Sequence, residues 1–243
     1  MSAIRFLTIL RIGPDGRPAD LAASMAYFPA VGALIGLIGG AVNFGLIALH
    51  VDPFVAAVTV VAFITAVTGA MHLDGLADTC DAIFSGKERE KMLEIMRDPH
   101  TGAMGTTWLV FDILLKVALI LAAPTAMKTA AIILMCVFSR WSMVLLMHIF
   151  PYARAEGKAA ILISARSAGH FITATVFTAA MAAIVWGLQG LATFVVAATA
   201  ACATGAYINR RLGGITGDTI GATGELVEIV TLFALSMLQR GML

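Results

Sequence analysis

Charge is what this sequence has least of. Only 13% of its 243 residues are Asp, Glu, Lys or Arg, against 60% that are hydrophobic, and the formal net charge is +1. So even a balance leaves no basic surface for gripping nucleic-acid phosphates. Cysteine is sparse: Cys80, Cys136 and Cys202 stand far apart, which argues against a CxxC metal site or a disulfide framework. Cys80 reads as a small helix filler. Internal repeats, low-complexity tracts and long polar linkers are missing too, so residues 1–243 read as one domain. No cleavable leader is recognisable, because the apolar run 1–10 is short and Pro14-Asp15-Gly16 interrupts it. What the chain has in abundance is apolar length. Its mean hydropathy of +0.92 is that of an integral membrane protein. Its 23 glycines and 13 methionines suit closely packed membrane helices.

A spanning helix needs about 20 mostly apolar residues. Runs of that kind lie near 25–49, 54–71, 104–123, 127–150, 168–188, 191–208 and 219–238, about seven in all. The expected fold is therefore an all-α, polytopic membrane bundle, with 1–10 as a short interfacial helix. Basic residues then fix the sidedness. Arg5, Arg11 and Arg17 share one side with Lys87, Arg89, Lys91 and Arg97, with Arg154, Lys158 and Arg166, and with Arg210 and Arg211. The other side holds only Lys128 and Arg240. By the positive-inside rule the N-terminus is cytoplasmic. The polar motifs fall on that same side, which points function at the cytoplasmic face of the cell inner membrane.

The densest chemistry is His72-Leu73-Asp74-Gly75-Leu76-Ala77-Asp78-Thr79-Cys80-Asp81. On a helix Asp74, Asp78 and Asp81 sit at i, i+4 and i+7, one face. Three carboxylates there repel one another unless a cation lies between them, and Mg²⁺ takes oxygen ligands often shared with substrate phosphates. After Gly86 an amphipathic helix is expected over 87–97, with Met92, Leu93, Ile95 and Met96 on its apolar side. Then Arg97-Asp98-Pro99-His100-Thr101-Gly102 makes a turn into the third span. Its helix-start amides suit phosphate oxygens, and Asp98 could complete a metal shell.

Charges inside spans are costly and mark candidate function. Asp112 and Lys116, at i, i+4, read as a mutual ion pair. Arg140 has no local partner and suits either a carboxylate or a phosphate. The loop from Pro151 to Lys158 supplies Arg154. In Gly213-Gly214-Ile215-Thr216-Gly217-Asp218 and the helix that follows, Asp218 and Glu225 share a face with Glu228 beside it, and Glu228 lies about 15 Å along the helix from Asp218. Glutamates that deep must face the protein and find cations. Two acidic faces on one side of the membrane suggest one shared polar cavity.

These motifs, in order along nearly the whole chain, resemble those of the cobalamin synthase (adenosylcobinamide-GDP ribazoletransferase) family. The matching residues are His72-x-Asp74-Gly75-Leu76-Ala77-Asp78-x-x-Asp81, Met96-x-Asp98-x-x-x-Gly102-x-x-Gly105 and Gly213-Gly214-x-Thr216-Gly217-Asp218-x-x-Gly221-Ala222-x-x-Glu225-x-x-Glu228. Phe6-Leu7-Thr8, Phe28-Pro29-x-Val31-Gly32, Arg140 and Pro151-Tyr152-x-Arg154 are shorter matches. Two positions depart from the pattern: His72 stands where an acid is usual, and Ala82 where a glycine is common.

The resemblance implies that adenosylcobinamide-GDP is joined to α-ribazole or its 5′-phosphate. A ribose hydroxyl attacks the corrinoid-linked phosphoryl group and GMP leaves, with Mg²⁺ as cofactor. On that basis Asp74, Asp78 and Asp81 are expected to hold the metal with Asp98 assisting. Asp81, or else His72, takes the hydroxyl's proton. Arg97, Arg140 and Arg154 meet phosphate, while Asp218, Glu225 and Glu228 line the substrate side or complete the metal cluster. The partners implied are these small molecules and the lipid bilayer; a homo-oligomer is compatible with the sequence.

Two rivals fit less well. A CDP-alcohol phosphotransferase would have Arg after the Ala of Asp-Gly-x-x-Ala, where this chain has Asp78, and lacks its second half here. A cation-coupled transporter would want polar groups on both faces.

Overall fold

The computed structural model describes residues 1–12, 22–154 and 156–239. Among these, the elements are helical: α1 (Ser2–Leu7), a 3₁₀ turn (Met25–Tyr27), α2 (Phe28–Ala48), α3 (Pro53–Thr68), α4 (Met71–Phe84), α5 (Arg89–Ile95), α6 (Ala103–Ala122), α7 (Thr125–Ile149), α8 (Lys158–Ser164), α9 (Ala168–Leu212) and α10 (Gly217–Gln239). The all-α membrane bundle expected from the sequence is what forms. Five helices are long and apolar enough to cross a membrane, and the bent pair α3–α4 would make a sixth.

The 45-residue α9 is not one rod. Gly187 leaves helical geometry (φ 59°, ψ −140°), and the two halves fold back on each other. Trp141 shows this: its indole N–H donates to Thr175 Oγ1 at 3.0 Å while its ring meets Phe194 edge-on, centroids 4.5 Å apart. On a straight helix Thr175 and Phe194 would lie about 28 Å apart. Small residues make the fold-back close, with Ala174, Thr178 and Ala182 buried on one half and Gly190, Thr193 and Ala197 on the other. The halves correspond to the fifth and sixth apolar runs.

α7 is the hub. Every residue from Leu134 to Met147 is buried, as suits a helix that is apolar on nearly every side, with Arg140 the charged exception. α2 lies against it through a glycine stripe. A Cβ at Gly36 would stand 2.7 Å from Ile133 Cα, and one at Gly32 would run into the Cys136 carbonyl. These are helix–backbone contacts that only glycine permits. Gly32→Ala is expected to part the two helices at a cost of about 1–3 kcal/mol, read as a lower melting temperature of the purified protein in detergent. An unchanged melting point would mean that the contact is looser than described.

The element that positions the site is the corner between α3 and α4. Asp52 starts α3, its Oδ1 accepting from Phe54 N–H at 2.9 Å and Val55 N–H at 3.3 Å. The helix stops at Gly69 and Ala70, both left-handed (φ 62° and 55°). For Ala70 that conformation carries strain of roughly 1–2 kcal/mol. α4 then leaves at 90° to α3, so it lies across the end of the bundle instead of continuing the span. The N-terminal segment holds the corner, with Ile9 N–H bonding to the Val67 carbonyl at 2.9 Å.

The basic loops gather at that same end. Arg89 Nε donates to the Leu212 carbonyl at 2.6 Å and Arg89 Nη2 to that of Ala153 at 3.0 Å, tying three loops together. Residues 151–153 run beside 213–215, through Ala153 N–H to Ile215 O (2.8 Å) and Ile215 N–H to Pro151 O (2.9 Å). A Cβ at Gly214 would stand 2.7 Å from the Pro151 carbonyl, which explains that glycine. Arg17 and Arg240, used in the sidedness argument, lie outside the described residues.

Candidate active site

α4 is amphipathic. Leu73, Leu76, Ala77 and Cys80 are buried while Asp74 is exposed and Asp78 and Asp81 are half-buried. Its Gly75 meets the start of α10: a Cβ there would come 2.6 Å from the Asp218 carbonyl. That close crossing brings the two acidic helices of the sequence together. Asp78 stands among Asp74, Asp218 and Asp81, with Arg154 as the opposing cation. Arg154 Nη2 donates to Asp218 Oδ2 at 2.8 Å. The Asp78 carboxyl is pushed up to about 7, first by burial and then by the repulsion of Asp74 and Asp218.

Asp81 also has a structural task. Its carboxylate accepts Gly102 N–H at 2.6 Å and Gly105 N–H at 2.8 Å. It thus caps the start of α6, the place the sequence suggested for a phosphate. Gly102 and Gly105 are glycines because a Cβ at either would collide with that carboxylate. Asp98 closes its own turn, accepting His100 N–H at 2.9 Å and lying 2.6 Å from His100 Nδ1. These bonds, the backbone one first, hold its carboxyl below the usual range. Arg97 is exposed and close enough to act electrostatically on Tyr152.

Below this acidic face opens a cavity of about 270 Å³. Asp74, Arg154 and Asp218 line it, and so do His72, Tyr152, Phe6, Phe28, Met143 and Met147. Met143 and Met147 carry no local signal in the sequence, and Tyr152 was visible only within the short match Pro151-Tyr152-x-Arg154. Phe6 and Phe28 were visible only as short motif matches; their rings stack at 5.6 Å.

Arg140, Glu225 and Glu228 do not line the cavity. They lie deeper, in a buried network with Asp112 and Lys116. Lys116 Nζ lies 3.0 Å from Asp112 and 2.8 Å from Glu228, and it also pairs with Glu225, while Arg140 pairs with Glu228. The expected Asp112–Lys116 pair is present, but as part of this larger set, and the carboxylate that Arg140 finds belongs to α10. The network bolts α6, α7 and α10 together, which gives these three residues a positioning role behind the site.

Mg²⁺ is tested here by its donors. Hard oxygen ligands are present, and the mutual repulsion around Asp78 is what a cation would relieve. No group of three or more His, Cys, Asp or Glu among the described residues already has metal-holding geometry. A Mg²⁺ ion here would therefore need oxygen ligands beyond these carboxylates, such as those of a phosphate.

The chain was compared with known proteins. The family described as cobalamin-5-phosphate synthase matches residues 1–236. An adenosylcobinamide-GDP ribazoletransferase of Desulforamulus reducens is 37% identical over 98% of this chain and 96% of its own length. Proteins of the same name from Citrobacter koseri (43%; 86% of this chain and 85% of its own) and Roseiflexus sp. (40%; 97% and 88%) are similarly close. No solved structure matches the chain.

Proposed function

The chain belongs to the cobalamin-5-phosphate synthase family, and from that premise we propose that it is an adenosylcobinamide-GDP ribazoletransferase acting at the cytoplasmic face of the inner membrane. The observation that carries the reading is the junction of α4 with α10, where Asp74, Asp218 and Arg154 line one cavity while Asp78, and Asp81 one turn further along α4, stand beside them. Phosphoryl transfer is mostly positioning and charge stabilisation, and this junction offers both.

Asp74 and Asp78 would hold Mg²⁺ on the diphosphate of adenosylcobinamide-GDP, with Asp81 and Asp218 in the same face and Asp98 on the neighbouring turn. Mg²⁺ held by these residues would supply positive charge that favours departure of GMP. Arg154, freed from Asp218 when phosphate enters, and Arg97 neutralise phosphate oxygens. A ribose hydroxyl of α-ribazole forms the new O–P bond as the bond from phosphorus to GMP breaks. We keep Asp81 as the acceptor of its proton, held in orientation by the two α6 amides. Arg140, Glu225 and Glu228 support α10 from below. The direct test is GMP release by membranes containing the chain, supplied with adenosylcobinamide-GDP and α-ribazole or its 5′-phosphate. No GMP beyond that of membranes lacking the chain would overturn the assignment.

The pH dependence follows from Asp78. Its pKa of about 7 lies above the ordinary carboxylate value of 3.8, so the charged form is disfavoured in the metal-free fold. That penalty grows as pH rises from near 4 to near 7 and is what metal binding removes. Below pH 7 Mg²⁺ must displace a proton, so the Mg²⁺ needed for half-maximal rate should rise up to about tenfold per pH unit. It should level off above pH 8. A Mg²⁺ requirement that stays flat from pH 6 to 8 would remove Asp78 from the metal shell.

A further inference from the structure

We propose that the cavity under the acidic mouth takes the base of the acceptor nucleoside, a flat and mostly apolar aromatic ring system with one ring-nitrogen acceptor, and that His72 donates a hydrogen bond to that nitrogen. The inference rests on the transferase reading above and says which half of the chemistry the cavity serves.

His72 is 3% exposed, lines the cavity, and has neither Nδ1 nor Nε2 hydrogen-bonded. Buried polar atoms nearly always have partners, and an imidazole without one next to a cavity points to a partner that arrives with the ligand. Its ring carries an N–H in either protonation state, so it can always serve a ring-nitrogen acceptor. The surrounding wall is built for a planar aromatic. Phe6 and Phe28 stack at 5.6 Å with 18° between their planes, and Met143 and Met147 add polarisable sulfur.

Size excludes the corrin ring, and the mostly apolar wall disfavours guanine, whose amide and amino groups it would leave unpaired. At about 270 Å³ the cavity lies at the small end of ligand sites, which run from roughly 300 to 1,000 Å³. It suits a bicyclic base, whereas a corrin macrocycle with its side chains is far too large. The polarity then orients the nucleoside. The base goes down among apolar side chains, and the ribose comes up between Asp74, Arg154 and Asp218, presenting its hydroxyl where the diphosphate is held. The corrinoid stays outside the mouth. A benzimidazole joined to ribose through one nitrogen keeps the other as a free acceptor, which is the group His72 would read. His72 is on this view a substrate-binding residue and takes no proton from the reacting hydroxyl. Gly221 keeps its backbone in place: a Cβ there would stand 3.2 Å from His72 Cα.

The test measures GMP release by full-length protein in membranes, with each substrate varied while the other is saturating. His72→Ala should raise KM for α-ribazole about ten- to a hundredfold, with kcat and KM for adenosylcobinamide-GDP changed less than about threefold. His72→Gln, which retains an N–H donor, should recover part of the loss. Wild-type protein should prefer the benzimidazole nucleoside over its indole counterpart, which lacks the acceptor nitrogen, by the same factor, and His72→Ala should lose that preference. A fall in kcat with KM unchanged, or no wild-type discrimination between the two bases, overturns the proposal. The comparison of bases uses wild-type protein, so it decides even if His72→Ala does not fold. Absence of any wild-type turnover would instead strike the transferase reading itself.

Discussion

With Asp74 replaced by alanine, GMP release is expected to fall about 10²–10³-fold, the cost of removing one group that stabilises transition-state charge, and the remaining turnover should need more Mg²⁺. Asp74 is exposed at the cavity mouth, so the loss should come without loss of fold. Unchanged melting of the variant in detergent is the control that ties the effect to chemistry. Asp81→Ala is the informative contrast. It takes the acceptor from Gly102 and Gly105 N–H, so it should lower activity and also loosen the start of α6. Undiminished product from the Asp74 variant, with the Mg²⁺ dependence of the wild type, would rule Asp74 out as a metal ligand.

Lys116→Met is expected to be the most damaging change away from the mouth. Lys116 touches Asp112, Glu225 and Glu228 at once, and its side chain is only 5% exposed. Removing it leaves buried carboxylates with Arg140 as the remaining cation of the network. Breaking a buried pair by deleting one partner costs about 3–5 kcal/mol, which for a chain of this length is a drop of roughly ten degrees or more in melting temperature. The second change Glu225→Gln removes one of the stranded charges, so the double variant should recover part of the loss. A double variant no better than the single one would mean that the network does not act as a unit. The effect should reach the site as well, because α10 carries both Glu225 and Asp218, and a loosened α10 no longer holds Asp218 against Gly75.

The sequence made the acids legible because their spacing is local. Asp74, Asp78 and Asp81 fall on one helical face whatever surrounds the helix, and α4 confirms that face. The apolar runs were legible for the same reason, and so was the apolar side of α5, where Met92 and Met96 are buried. What local spacing could not carry was partner choice across the bundle. Arg140 reaches Glu228, and Asp81 reaches Gly102 and Gly105, through contacts between different helices. Arg89 belongs to the expected amphipathic helix over 87–97, yet it holds the backbone carbonyls of Leu212, at the end of α9, and of Ala153. The right-angle turn at Gly69 and Ala70 was invisible because Ala70 adopts a backbone conformation its residue type does not advertise. The cavity depends on that turn, so the His72 environment could not be read before α4 was seen to cross α10.

The cavity wall is drawn from helices far apart in sequence: Phe6 and Leu7 of α1, and Gly217, Asp218, Ile220 and Gly221 of α10. The wall is therefore incomplete until α10 has packed against α4. A nascent chain that has inserted everything through α9 already displays Asp74, Asp78 and Asp81, yet it lacks the helix against which Gly75 packs. A chain truncated after α9 is therefore expected to release no GMP, although it keeps every acid of α4.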